Sequence, residues 1–89
     1  MRVEALPVDD RLSIPGSPDL LVMVGERLIR LGPLGRLIFE RAARGASLEE
    51  LLADAVALFG PASGDDAGGA IEAAVRGMVD AGLLTRVDE

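Results

Sequence analysis

The spacing of hydrophobic positions changes about one third of the way along the chain. Over residues 11–31 the apolar residues come in short runs broken by glycine and proline, which is typical of β-strands and turns. From residue 33 onward they recur every three or four positions, as on amphipathic helices. The pattern predicts an α+β, winged-helix-like domain in which three short N-terminal antiparallel strands are followed by three helices.

The predicted strands are 11–14, Leu20–Val24 and Arg27–Leu31. Gly25-Glu26 separates the last two, and a two-residue loop that begins with glycine is typical of a type II′ hairpin, because glycine takes positive φ at the first loop position. A single helix over 20–31 is disfavoured by Gly25 and by the β-branched residues around it.

Each predicted helix has recognisable start and stop signals. Proline is tolerated at the first helical position, a Ser-x-x-Glu pair forms a capping box, and glycine ends a helix in a left-handed conformation. The predicted bounds are Pro33 and Gly45, then the Ser47–Glu50 capping box and Gly60, then the segment 63–66 and Gly82.

Composition excludes most catalytic chemistry. The 89 residues contain no Cys, His, Tyr or Trp, and all nine basic residues are Arg, so there is also no Lys. The usual general base, the Schiff-base amine and the Cys and His metal ligands are therefore missing. We expect one domain over 1–89, with flexible ends at 1–7 and 86–89, that is not an enzyme and has no cofactor or metal.

The charge is negative and unevenly distributed. The net charge is −6, and residues 1–45 carry about +1 while residues 46–89 carry −7. An acidic half is a poor electrostatic match for nucleic acid or an anionic membrane. The longest apolar run, Leu20–Val24, is too short to span a membrane, and the N-terminus lacks a signal-peptide pattern. We therefore expect a cytoplasmic protein without nucleic-acid or membrane partners.

Two features of the sequence indicate a binding surface. The predicted second hairpin strand carries Leu28 and Ile29 on opposite faces, so one of them is left in water unless something covers it. The third helix has small residues along one flank, including Gly77, which costs about 1 kcal/mol relative to alanine in a helix interior. Either tight internal packing or a docked chain would offset that cost, and the sequence leaves both open.

The order of these elements and their motifs resembles the PqqD-like family, whose members recognise ribosomally made, post-translationally modified peptides. The resemblance covers about residues 8–87. It is carried by 28–34 (LIRLGPL), 37–39 (LIF), 45–51 (GASLEEL) and 75–84 (VRGMVDAGLL).

The resemblance implies that the leader segment of a precursor peptide adds as a strand beside Arg27–Leu31, in a cleft against the third helix. Leu28 or Ile29 would seat an aliphatic leader residue and the two arginines would pair with leader acids. Small helix residues would form the floor, with charges at the rim. The candidate peptide-binding residues are Arg27, Leu28, Ile29, Arg30, Leu31, Ala70, Ala73, Ala74, Arg76, Gly77 and Asp80.

The implied partners are a precursor leader peptide and a peptide-modifying enzyme, in PQQ-like or lasso-like natural product biosynthesis. An exposed strand edge would also permit a homodimer. One alternative is a general protein-interaction or oligomerisation module. A winged-helix DNA-binding regulator is a weaker alternative, because residues 65–81 carry four acids against Arg76 alone.

Overall fold

The computed structural model describes residues 2–60 and 67–87. Its elements follow the chain in the order β1 (Arg2–Ala5), β2 (Asp10–Ser13), β3 (Leu20–Val24), β4 (Arg27–Leu31), α1 (Pro33–Ala42), β5 (Ala46–Ser47), α2 (Leu48–Phe59), α3 (Ala67–Asp80) and β6 (Leu84–Val87). The predicted α+β class, with N-terminal strands followed by three helices, is confirmed. The winged-helix likeness stays a prediction.

The three predicted strands form one antiparallel sheet in the order β2-β3-β4, which we call the hairpin sheet. Gly25 has φ 61°, whereas Glu26 has no positive φ, so the loop is of the predicted type II′. Val24 pairs with Arg27 across the loop. Local sequence signals are therefore sufficient to specify the hairpin, and it forms at the predicted residues.

A second antiparallel sheet, in the order β5-β1-β6, joins the two ends of the described chain, and we call it the terminal sheet. β1 is its central strand, and Val3 is completely buried. The sequence predicts flexible ends at 1–7 and 86–89. The structure corrects this for Arg2–Ala5 and for the end of β6, while residues 88–89 lie outside the described residues. These strands were missed because each pairs with residues far along the chain.

The capping box of α2 and the end of α3 are those that the sequence predicts, whereas α1 ends at Ala42 with a right-handed C-cap at Ala43, two residues before the predicted Gly45. Glu50 N–H donates to Ser47 Oγ at 3.1 Å, and Ser47 N–H donates to Glu50 Oε1 at 3.0 Å, which completes the capping box. At the end of α3, Leu83 N–H donates to the Met78 carbonyl and Gly82 N–H to the Val79 carbonyl, a Schellman motif. The predicted start of the third helix, 63–66, lies outside the described residues.

One core joins both sheets to the three helices. Its largest fully buried side chains come from the terminal sheet, the hairpin sheet, each helix and the turn before β6: Val3, Val22, Ile38, Leu51, Val75, Leu83 and Leu84. α3 packs against α1, α2 and β6, so its outer side and the free edge of β4 are left for other contacts. Within the described residues, no helix has the length and apolar character that crossing a membrane requires.

Candidate functional site

β4 has one paired edge and one open edge. It pairs with β3, and no other strand among residues 2–60 and 67–87 pairs with it. In a two-residue hairpin the residues flanking the loop, Val24 and Arg27, share both backbone hydrogen bonds. Because pairs alternate along the strand, Ile29 and Leu31 also bond toward β3. The N–H and C=O groups of Leu28 and Arg30 therefore point away from the sheet.

The neighbouring strand supports this assignment. Asp9 N–H donates to the Met23 carbonyl at 2.8 Å, so the Met23 carbonyl faces away from β4. Met23 is the register partner of Leu28. Because the backbone of Met23 faces β2, it does not bond to Leu28 on β4. Leu28 therefore has a free backbone N–H donor and C=O acceptor at the open edge.

The side chains of β4 divide between two faces. Leu31 is buried and Ile29 is half-buried against the core, whereas Leu28 is 62% exposed on the opposite face together with Arg30. Of the two aliphatic residues that the sequence offers for seating a leader side chain, Ile29 lies on the helix side of the strand. Leu28 lies on the outer face of the hairpin sheet.

Both arginines of β4 have intramolecular partners. Arg27 Nη2 donates to the Ala81 carbonyl at 2.5 Å, which joins the start of β4 to the C-terminal end of α3, where a cation is favourable. Arg30 Nε donates to Asp19 Oδ2 at 2.5 Å. Arg30 is largely exposed, and its terminal nitrogens make no hydrogen bond with the described residues, so it remains the arginine better able to pair with an incoming acid.

The sides of α3 differ in burial and in side-chain size. The buried residues Ile71, Val75 and Met78 mark the core side. At about 100° per residue, one flank carries Gly68 and Glu72 and the other carries only small residues. The second set, which we call the small-residue flank, consists of Ala70, Ala74, Gly77 and Ala81.

The small-residue flank faces the β4 side of the molecule. On the other flank, Gly68 and Glu72 border α2. On this flank, Ala70 meets the start of α1, and the Ala81 carbonyl accepts from Arg27. We call the space between the open edge of β4 and the small-residue flank the groove; the hydrogen bond from Arg27 to the Ala81 carbonyl links its two sides.

Gly77 is open at the point where a side chain would begin. A Cβ placed there has no heavy atom within 4 Å apart from its immediate chain neighbours and the helix's own backbone. Tight internal packing, one of the two explanations that the sequence leaves open for this glycine, therefore does not apply in the structure. The space beside Gly77 is instead open.

Three of the predicted site residues lie elsewhere. Ala73, Arg76 and Asp80 are exposed, and helix geometry turns them about 140–200° away from Ile71, toward solvent. All three therefore lie outside the small-residue flank, and their contact with a peptide stays a prediction. The sequence pattern showed both flanks of the helix, but only tertiary packing shows which one faces β4.

A cavity of about 320 Å³ lies between the starts of α1 and α3 and the end of α2. Its lining is almost entirely apolar and consists of Pro33, Leu34, Ala55, Val56, Phe59, Gly60, Ala70 and Ile71. Pro33 and Leu34 follow β4 after Gly32 alone, so the cavity lies just beyond the end of the open edge. Neither residue is among the site candidates predicted from the sequence, although their closeness to the end of the strand was the available signal.

The main charged cluster lies away from the groove. Glu50 is 3.4 Å from both Arg2 and Arg41, and Arg41 Nε is 2.6 Å from Asp54 Oδ2. Hydrogen bonds from the backbone and side chain of Ser47 lower the pKa of Glu50, and the two arginines lower it further. The cluster ties β1, α1 and α2 together. In the described ranges no three His, Cys, Asp or Glu side chains converge as a metal site would require.

Comparisons of the chain with protein-family models, with curated proteins and with solved structures find no match. The geometry of the groove is therefore the basis for a functional interpretation.

Proposed function

We propose that this chain binds the leader segment of a ribosomally synthesised precursor peptide by strand addition to β4, and presents the rest of the peptide to a modifying enzyme. The observation that carries the proposal is the open edge of β4, where the backbone groups of Leu28 and Arg30 point outward beside the small-residue flank. The resemblance to PqqD-like proteins supplies the class of peptide.

The backbone supplies the affinity. An extended peptide beside β4 pairs its own N–H and C=O groups with those of Leu28 and Arg30, which supply two donors and two acceptors. Each net hydrogen bond of this kind contributes about 0.5–1.5 kcal/mol. These bonds are independent of the peptide's side chains, so they provide affinity without selectivity.

The groove supplies the selectivity. Alternate side chains of an added strand point to opposite sides, so every second one faces the small-residue flank and Ile29. The missing side chain at Gly77 leaves room there for a branched aliphatic or aromatic group. A leader residue that extends past Leu31 reaches the apolar cavity beside Pro33. An acidic leader residue near Arg30 can pair with the terminal guanidinium nitrogens of that arginine.

Binding a leader in this way raises the local concentration of the attached core peptide at the enzyme. A short flexible connection gives effective concentrations in the millimolar range. The chain thereby promotes modification without any catalytic group of its own.

The test is an amide NMR titration with synthetic peptides that cover the leaders of precursor genes encoded near this one. We expect saturable shifts along β4 and at Ala70, Ala74 and Gly77. No shift with any of these peptides would contradict the proposal.

Two variants at Leu28 separate the backbone from the side chain. Leu28→Pro removes an N–H that β3 does not use, so we expect the sheet to persist and peptide affinity to fall about tenfold. Leu28→Ala keeps the N–H and is the matched control, with a smaller loss. Equal losses for the two variants would mean that the open edge is not the binding element.

A general interaction module is the second candidate, and the exposed aliphatic residues Leu12, Met23 and Leu28 favour it. DNA binding receives less support, because the described part of α3 carries Glu72 and Asp80 against Arg76. Salt dependence separates them: DNA affinity falls steeply as salt rises, whereas strand addition responds mildly.

A further inference from the structure

The outer face of the hairpin sheet carries an apolar surface that the peptide groove does not use. Leu12, Leu21, Met23 and Leu28 lie on this face, which we call the outer patch, because they occupy the positions that alternate with the inward-facing residues. Leu12 is 63% exposed and Met23 is 39% exposed. No element within residues 2–60 and 67–87 covers the patch.

The register arranges charges around the patch in a specific way. One row across the sheet reads Leu12, Leu21, Arg30, and the adjacent row reads Asp10, Met23, Leu28. Asp10 on β2 and Arg30 on β4 therefore occupy diagonally opposite corners. Leu12 and Leu28 occupy the other two corners.

This arrangement is complementary to itself. When two sheets pack face to face with their strands near 90°, a two-fold axis can run along the diagonal from Leu12 to Leu28. That axis places Asp10 of each copy over Arg30 of the other. It also places Leu12 over Leu12 and Leu28 over Leu28 of the second copy. The terminal nitrogens of Arg30, which make no hydrogen bond with the described residues, are available for the acid.

We propose that the outer patch binds a second copy of this chain, in a two-fold dimer whose hairpin sheets cross at a steep angle. The four aliphatic residues and two charges cover far less than the ~800 Å² per partner of a standard stable interface. The dimer is therefore weak and reversible. Since the contact uses the face of the sheet, the backbone groups at the open edge of β4 stay accessible to a peptide, and in the dimer Asp10 of the second copy takes the place of a leader acid at Arg30.

The first test is a dilution series of the labelled protein from about 2 mM to about 20 µM, followed by amide NMR and by translational diffusion. We expect concentration-dependent shifts at the outer patch and slower diffusion at high concentration. Leu12→Ser should weaken the association severalfold while leaving the peptide groove intact, because β2 lies at the far edge of the sheet. Absence of any concentration dependence overturns the proposal, whether or not another protein binds this face.

A charge exchange makes the test specific for the geometry. Asp10→Arg gives a copy with two cations at the corners, and Arg30→Asp gives a copy with two anions, so each variant alone should associate less than the unmodified chain. An equimolar mixture of the two should associate again, because opposite charges then face each other. Failure of the mixture to associate, when both variants keep a native amide spectrum, rules out the crossed arrangement.

Discussion

Gly77 is the residue at which stability and binding are most clearly opposed. It lies inside α3, where alanine would stabilise the helix, and no neighbouring atom excludes a side chain. A position that is unfavourable for folding and open toward a groove is what an approaching backbone needs. Under the proposed function, Gly77 leaves room for the backbone of a bound peptide.

Substitution at Gly77 should separate these two properties. Gly77→Ala should raise the free energy of unfolding by about 1 kcal/mol, measured by urea denaturation. Gly77→Leu should keep the fold and weaken peptide binding severalfold, since its side chain occupies the groove. Ala73→Leu on the solvent face is the control and should leave peptide affinity unchanged. If Gly77→Leu binds peptide as well as the unmodified chain does, the flank is not a contact.

Glu50 gives the molecule a defined acid sensitivity. Hydrogen bonds from Ser47 lower its pKa in the folded state below the ordinary value of 4.5. The carboxylate therefore stabilises the fold above about pH 4.5, and this contribution is lost as the pH falls through the lower folded pKa. We expect Glu50→Gln to flatten the pH dependence of the unfolding free energy in that acidic window, as measured by urea denaturation at a series of pH values. An unchanged slope would contradict this.

At the scale of elements, local signals predicted structure well. The Gly25-Glu26 loop, the Ser47–Glu50 capping box and the glycines after α2 and α3 each act over a few residues, and each lies where the sequence places it. Gly45 is the exception, because α1 already ends at Ala42. The terminal sheet was not predictable in this way. β1 pairs with strands that lie more than forty residues away, and four polar-apolar alternating residues carry no signal of that partner.

The hairpin loop should be sensitive to its first residue. Gly25 has φ 61°, which costs an L-residue with a side chain roughly 1–2 kcal/mol. Gly25→Ala should therefore lower the free energy of unfolding by about that amount, and Gly25→Asn by less, because asparagine tolerates positive φ better. Thermal and urea denaturation measure both. Equal stability of the two variants would place the turn in another class.

The candidate site was predictable only where local sequence signals define it. β4 and its aliphatic residues follow from the hairpin, and the small residues of α3 follow from helical spacing. Which flank of α3 faces β4 depends on how α1, α2 and α3 pack together. The exposure of Ala73, Arg76 and Asp80 on the solvent side of α3, and the position of Pro33 and Leu34 in the apolar cavity, likewise depend on that packing.

At the scale of the whole molecule, stability depends on the two ends meeting. Val3 is completely buried in the central strand of the terminal sheet. Val3→Ala should lower the free energy of unfolding by about 2 kcal/mol, whereas Glu4→Ala at the exposed neighbouring position should change it by less than about 0.5 kcal/mol. Removal of residues 1–5 should destabilise the whole domain in the same urea assay. A truncated chain as stable as the intact one would contradict the role of β1.

The pairing of β1 with β6 also decides how this domain can be joined to others. Arg2 lies opposite Val87, so the chain enters and leaves at neighbouring points of one sheet. A domain of this kind can be inserted into a surface loop of an enzyme without forcing the loop's ends apart, and it can be circularly permuted through a short linker. The same fold is thus suited to serve as a separate chain or as an internal module of a larger enzyme.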